Sequence, residues 1–123
     1  MIHLDTSFLI QALIPESAAE TRLQEWIIAD EDLGISSIAW SELLCGPLQA
    51  EDVALAESLF AAHEPFLMTD AAKAAELFNG TGRRSRSLAD CQIAAVAIRC
   101  EARIATHNTS DFAPFQSFGL ILT

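Results

Sequence analysis

Four acids in this sequence have the side-chain type and the spacing to do chemistry together: Asp5, Glu42, Asp90 and Asp111. Breaking a phosphodiester with water needs charge on the phosphate neutralised, a nucleophile made from water and the leaving oxygen stabilised, and a divalent cation can serve all three. Mg²⁺ and Mn²⁺ are hard ions that prefer oxygen donors and keep several waters, so Asp and Glu without Cys or paired His suit them and disfavour zinc. Carboxylates gathered in one small cavity repel; at about 5 Å and an effective dielectric near 20, each pair costs roughly 3 kcal/mol. Such a cluster either protonates in part or is compensated by a cation.

The elements that must position these acids alternate in type. Residues 2–5 read as a strand, and a helix over 7–13 is stopped by Pro15. A helix over 17–30 carries Leu23, Trp26 and Ile27 at i, i+3, i+4, and a strand follows at 33–36. The helix over 37–45 holds Glu42, presents Trp40, Leu43 and Leu44 on one face, and ends at Gly46-Pro47. A helix over 52–63 with Leu55, Ala56, Leu59 and Phe60 leads to a third strand at 65–68, and an alanine-rich helix over 70–78 closes at Asn79-Gly80. After a basic loop over 81–86, Ser87 is the expected N-cap of a helix over 88–99 with Asp90 in its first turn. A fourth strand at 103–106, a loop holding Asn108, Asp111 and Pro114, and a last strand at 120–122 complete the chain. This alternation predicts an α/β layered domain over residues 1–123 with a mainly parallel sheet. Ligands of such sheets sit beyond the carboxyl ends of the strands where strand order reverses, and Asp5 and Asp111 both follow strands.

Each acid also has an ordinary reading. Asp5 could be a helix N-cap, although Ser7 is available for that, and an acid ending an apolar strand needs a solvated or cationic partner. Glu42, beside Ser41 in an amphipathic helix, reads on its own as solvent-exposed. Asp90 could complement a helix dipole, with equal weight. Asp111 could be a turn acid. His3, His63 and His107 show no ligand spacing and read as packing or surface residues. Cys45, Cys91 and Cys100 are odd in number, lack C-x-x-C spacing and lie in apolar patterns, as reduced buried thiols of a cytosolic protein would.

With 51% hydrophobic and 20% charged residues, the chain has the composition of a well-cored globular protein. The apolar run from Ile93 to Ile98 is too short to span a bilayer, and Met-Ile-His-Leu-Asp shows neither the basic nor the apolar part of a signal, so a cytoplasmic location without membrane contact is expected. A net charge of −10 argues against broad wrapping of nucleic acid and favours a basic partner. Five of the seven bases are Arg83, Arg84, Arg86, Arg99 and Arg103, and the first three crowd one loop, equally readable as solvated surface or as a phosphate contact.

Ile2-His3-Leu4-Asp5-Thr6-Ser7, Trp40-Ser41-Glu42-Leu43-Leu44, Ser87-Leu88-Ala89-Asp90 and Thr106-His107-Asn108-Thr109-Ser110-Asp111-Phe112, in this order and spacing, resemble the PIN-domain ribonucleases, in particular the VapC toxins of bacterial toxin-antitoxin pairs. The resemblance covers nearly the whole chain. It implies a five-stranded sheet in the order 3-2-1-4-5 flanked by helices, Mg²⁺ or Mn²⁺ at Asp5, Glu42, Asp90 and Asp111, and endonucleolytic cleavage of RNA by water attacking phosphorus in line. It further implies that Thr6 or Ser7 helps hold Asp5 or a water, that Thr106 and Asn108 sit at the rim, that the chain forms a homodimer, and that an antitoxin with an arginine-bearing basic tail blocks the site. The sequence departs from the family at His107, where Arg is frequent, and at Asn108, where an acid can stand. Two rivals are a phospho-acceptor receiver domain, which would need a lysine late in a chain whose sole lysine is Lys73, and a non-catalytic PIN-like binding module.

Overall fold

Short apolar runs between helices make the strands of this protein, whose computed structural model describes residues 1–84 and 87–123. Arg86, one of the three candidate phosphate contacts, lies outside the described residues. Strands β1 (Ile2–Leu4) and β2 (Leu33–Ser36) are buried at every position, and β4 (Arg103–Ala105) is buried except at Arg103. Runs without polar alternation are what a sheet covered on both faces requires. At the edges lie β3 (Ala62–Glu64) and β5 (Ile121–Leu122), which are only partly buried. The strands pair in the order β3-β2-β1-β4-β5, every neighbouring pair parallel, with Ile2 opposite both Leu33 and Arg103. The fold expected from the sequence is therefore the fold observed.

Seven α-helices fill the connections among the described residues: α1 (Thr6–Ala12), α2 (Ala18–Ile28), α3 (Ser37–Leu44), α4 (Ala50–Leu59), α5 (Met68–Gly80), α6 (Leu88–Arg99) and α7 (Thr109–Phe112), the last running into a 3₁₀ turn, Ala113–Phe118. Ser17 caps α2 by accepting from the Glu20 N–H at 3.0 Å, and Ser36 caps α3 by accepting from the Ala39 N–H at 3.1 Å. The inner helix is α6. Cys91, Ile93, Ala94, Ala95, Val96 and Ala97 are all buried, and its alanines let α5 pack closely alongside. Phe112 and Phe115, rings edge to face at 5.9 Å, seal the core beneath α7.

Four local expectations change. The stretch after β4 that reads as a loop is largely helical: Asn108 is the N-cap position of α7, which holds Asp111, and Pro114 lies in the 3₁₀ turn that follows. The third strand is Ala62–Glu64, not residues 65–68: Leu67 is the N-cap position of α5, Met68 begins that helix, and α4 ends at Leu59. Cys45 is exposed, because it follows the last turn of α3. Ser87 occupies the N-cap position of α6 without capping it; its hydroxyl donates instead to the Arg84 carbonyl at 2.8 Å.

Candidate active site

Strand order reverses at β1, which has β2 on one side and β4 on the other, so the crevice sits where β1 and β4 end. Asp5 follows β1 directly, and its N–H extends the ladder to the Ala105 carbonyl at 2.9 Å. Its backbone takes the N-cap conformation of α1, but its carboxylate caps nothing. Oδ2 accepts instead from Ser7 Oγ at 2.6 Å and from Thr106 Oγ1 at 2.9 Å. Each hydroxyl has one proton, and both protons are thereby committed to Asp5. The hydroxyl oxygens in turn accept from the N–H groups of His107 and Asn108, each at 3.0 Å. Asp5 is thus fixed through one oxygen, while Oδ1 has no hydrogen-bond partner among the described residues.

Of the two hydroxyls expected to help hold Asp5, one does so, and Thr106 and Asn108 act differently from expectation. Ser7, not Thr6, holds Asp5; Thr6 Oγ1 donates to the Ala39 carbonyl at 2.8 Å and tethers α1 to α3, with Glu42 Oε1 at a marginal 3.4 Å. Thr106 is buried and grips Asp5 rather than standing at the rim. Asn108 acts through its backbone N–H, a contribution that no side-chain motif signals.

Asp90 occupies the first turn of α6, half-buried. Burial pushes its pKa up to about 7, and the charges of Asp5, Asp111 and Glu42, in that order, push the same way. Glu42, although exposed as a residue, is also raised, first by shielding of its carboxyl group and then by Asp5. Acids from the end of β1, from α3, α6 and α7 therefore share one electrostatic field. Asp90 links its two halves: it feels Asp5 and Glu42, and it lines with Asp111 a cleft of about 560 Å³ whose other walls are Thr81, Arg84, Ser87, Pro114 and Phe115.

Among the described residues, no three Asp, Glu, His or Cys side chains are close enough to hold one ion together. Among the described residues, Asp5 accepts two strong side-chain hydrogen bonds, whereas the carboxylates of Asp90 and Asp111 accept none. The donor set is all oxygen, Asp5 keeps Oδ1 free, and the cost of charging Asp90 is what a cation would relieve, so the residues fit a hard divalent ion.

Elsewhere the bases are used structurally. Arg99 Nε donates to Asp70 Oδ1 and Oδ2 at 2.9 and 3.1 Å and its Nη2 to the Pro65 carbonyl at 3.0 Å, while Asp70 also accepts from the Leu67 N–H at 2.9 Å. This buried acid, which the sequence reading passed over, locks α6 to the start of α5. Arg103 pairs with Glu31 at 3.4 Å.

A parallel sheet in this order with carboxylates gathered at its switch point defines a class of acid-centred α/β domains. Residues 2–114 match the family model of the PIN domain, and the chain belongs to that family. Comparison with curated protein sequences gives no significant match. Among solved structures, FitAcB from Neisseria gonorrhoeae is similar at a TM-score of 0.74 and 24% identity, over 100% of this chain and 97% of that one. A toxin-antitoxin complex from Klebsiella pneumoniae is similar at 0.74 and 25%, over 92% and 91% of the two chains. VapC20 from Mycobacterium tuberculosis, a sarcin-ricin loop cleaving toxin, is similar at 0.71 and 14%, over 100% and 98%.

Proposed function

We propose that this chain is a divalent-metal-dependent endoribonuclease and the toxin of a toxin-antitoxin pair. The observation that carries the reading is the convergence of Asp5, Glu42, Asp90 and Asp111 from four elements at the switch point, where burial first, and then the charges of the other three, raise the pKa of Asp90 to about 7. Membership of the PIN family and likeness to toxin-antitoxin structures support it. The four acids would hold Mg²⁺ or Mn²⁺, which when bound would neutralise phosphate charge and acidify a water. Asp5, immobilised through Oδ2, presents Oδ1 in one orientation. The carboxylates of Asp90 and Asp111 line the cleft where the attacking water would lose its proton as it approaches phosphorus in line with the leaving oxygen. The net charge of −10 suits an inhibitor with a basic, arginine-bearing tail. No helix among the described residues is long and apolar enough to cross a membrane, and we place the protein, as a homodimer, in the cytoplasm.

The alternative is a non-catalytic PIN-like protein- or RNA-binding module, favoured by the lack of a preformed three-ligand group among the described residues. Mapping new RNA ends after incubating total RNA with the protein separates the two. The nuclease gives discrete cuts with Mn²⁺ that vanish in EDTA and in Asp5→Asn; a binding module gives none.

A further inference from the structure

A polyanionic substrate approaching a protein of net charge −10 must find local positive charge, and the structure leaves little of it free. Arg99 is bound to Asp70, Arg103 to Glu31 and Lys73 to Glu76. Arg22 lies over the rings of Phe8 and Trp26, at 5.5 and 4.9 Å from their centroids. Of the remaining bases with described structure, Arg83 and Arg84 are exposed and form no ion pair among the described residues. They differ in direction. Arg83 takes a left-handed backbone, φ 57°, in the turn that ends α5, and does not line the cleft; Arg84 lines it together with Asp90 and Asp111.

The other polar side chains described in the cleft offer an anion no free donor. Thr81 Oγ1 gives its one proton to the Leu77 carbonyl at 2.7 Å, and Ser87 Oγ gives its own to the Arg84 carbonyl at 2.8 Å. Asp90 and Asp111 repel one. Among the described residues, Arg84 is therefore the one lining side chain with uncommitted donors, five N–H groups in a fork that matches phosphate oxygens. Pro114 and the edge of the otherwise buried Phe115 add apolar lining to the cleft. Acid pair, guanidinium and apolar lining in one open cleft suit a strand whose backbone is flexible and whose bases are unpaired.

We infer that Arg84 is the anchoring residue for a backbone phosphate of single-stranded RNA in this cleft, and that neighbouring Arg83 is not. The inference rests on the proposed ribonuclease reading and adds the position of the strand. Its test is binding without cleavage: fluorescence anisotropy of a labelled mixed-sequence RNA of about 20 nucleotides, in EDTA, across a salt series, for wild type, Arg84→Gln, Arg84→Lys and Arg83→Gln. Arg84→Gln should weaken binding roughly tenfold and reduce the slope of log affinity against log salt by about 0.7, the loss of one single-strand phosphate contact. Arg84→Lys should keep the slope and recover part of the affinity, and Arg83→Gln, with the same change in net charge, should move affinity less than about twofold. Equal losses in Arg83→Gln and Arg84→Gln, an unchanged slope, or no binding by wild type at low salt would each overturn the inference. Retained Mn²⁺-dependent cleavage by Arg84→Gln beside wild-type binding would do so while leaving the ribonuclease reading intact; absence of cleavage and of metal binding would remove that reading instead.

Discussion

Thr106 Oγ1 donates to Asp5 Oδ2 at 2.9 Å, joining the ends of β4 and β1 across 101 positions of sequence. The same hydroxyl accepts from the Asn108 N–H, so it orients the acid and begins the loop that leads to Asp111. Thr106→Val removes a donor from a buried carboxylate and leaves that N–H unpaired, and we expect a loss of about 1–3 kcal/mol in urea unfolding. Mn²⁺ affinity should fall roughly tenfold to a hundredfold, as for other groups that orient metal ligands. Unchanged stability together with unchanged Mn²⁺ affinity would show that Asp5 is held by other means.

His3 and Asp90 give stability opposite pH dependences. His3 is buried with neither ring nitrogen hydrogen-bonded among the described residues, and burial, the largest cause, lowers its pKa from 6.5 to about 4. The unfolded chain then binds more protons between those values, so this residue's contribution is present above about pH 6.5 and is lost as pH falls toward 4. Asp90, raised from 3.8 to about 7, weakens the fold as pH rises through that window. In urea unfolding as a function of pH, His3→Leu should flatten the acid limb, and Asp90→Asn should gain stability near neutrality and none near pH 4. Parallel curves for wild type and both variants would contradict this.

Gly34 leaves the room that the His3 ring occupies: a Cβ there would stand 2.8 Å from His3 Cδ2 and 2.9 Å from Nε2. We expect Gly34→Ala to cost about 1–3 kcal/mol by overpacking. A double-mutant cycle with His3→Ala should show a favourable coupling, whereas additive costs would place the strain elsewhere.

Arg99→Met should destabilise by about 2–4 kcal/mol, somewhat below the range for a fully buried pair, because Asp70 is 2% exposed but Arg99 is 30% exposed. Asp70 would keep the Leu67 N–H and lose the guanidinium. Thermal unfolding measures the cost, and a change under about 0.5 kcal/mol would make the pair a surface contact in energetic terms.

The positions of β1, β2 and β4 were legible because inner strands of a parallel sheet are largely apolar, whereas the sheet order came only from the family resemblance and from no pattern within the strands. The place of β3 was not legible: an edge strand made of Ala62, His63 and Glu64 carries no apolar signal, while the Phe66-Leu67-Met68 run beside it imitates one. The four acids could be named together because the short stretches around them resemble a known family, since Glu42, Asp90 and Asp111 each read as ordinary alone; the structure adds what couples them. Hydroxyl protons shared at Asp5, backbone N–H groups of His107 and Asn108, and the Asp70 bond to Arg99 depend on contacts between distant segments. No local pattern encodes them. Cys45 and Ser87 were misread for the opposite reason, because a plausible local pattern was overridden at a helix end.

The most direct test of the metal-nuclease reading is the melting temperature of wild type and Asp90→Asn, each in EDTA and in about 10 mM Mn²⁺; a site with a dissociation constant of about 1 mM gives roughly 1.4 kcal/mol, a shift of several degrees. We expect wild type to shift upward and the variant, already relieved of repulsion, to melt higher in EDTA and shift much less. If neither protein shifts, the four acids do not form a working metal site, and the binding-module reading replaces the nuclease.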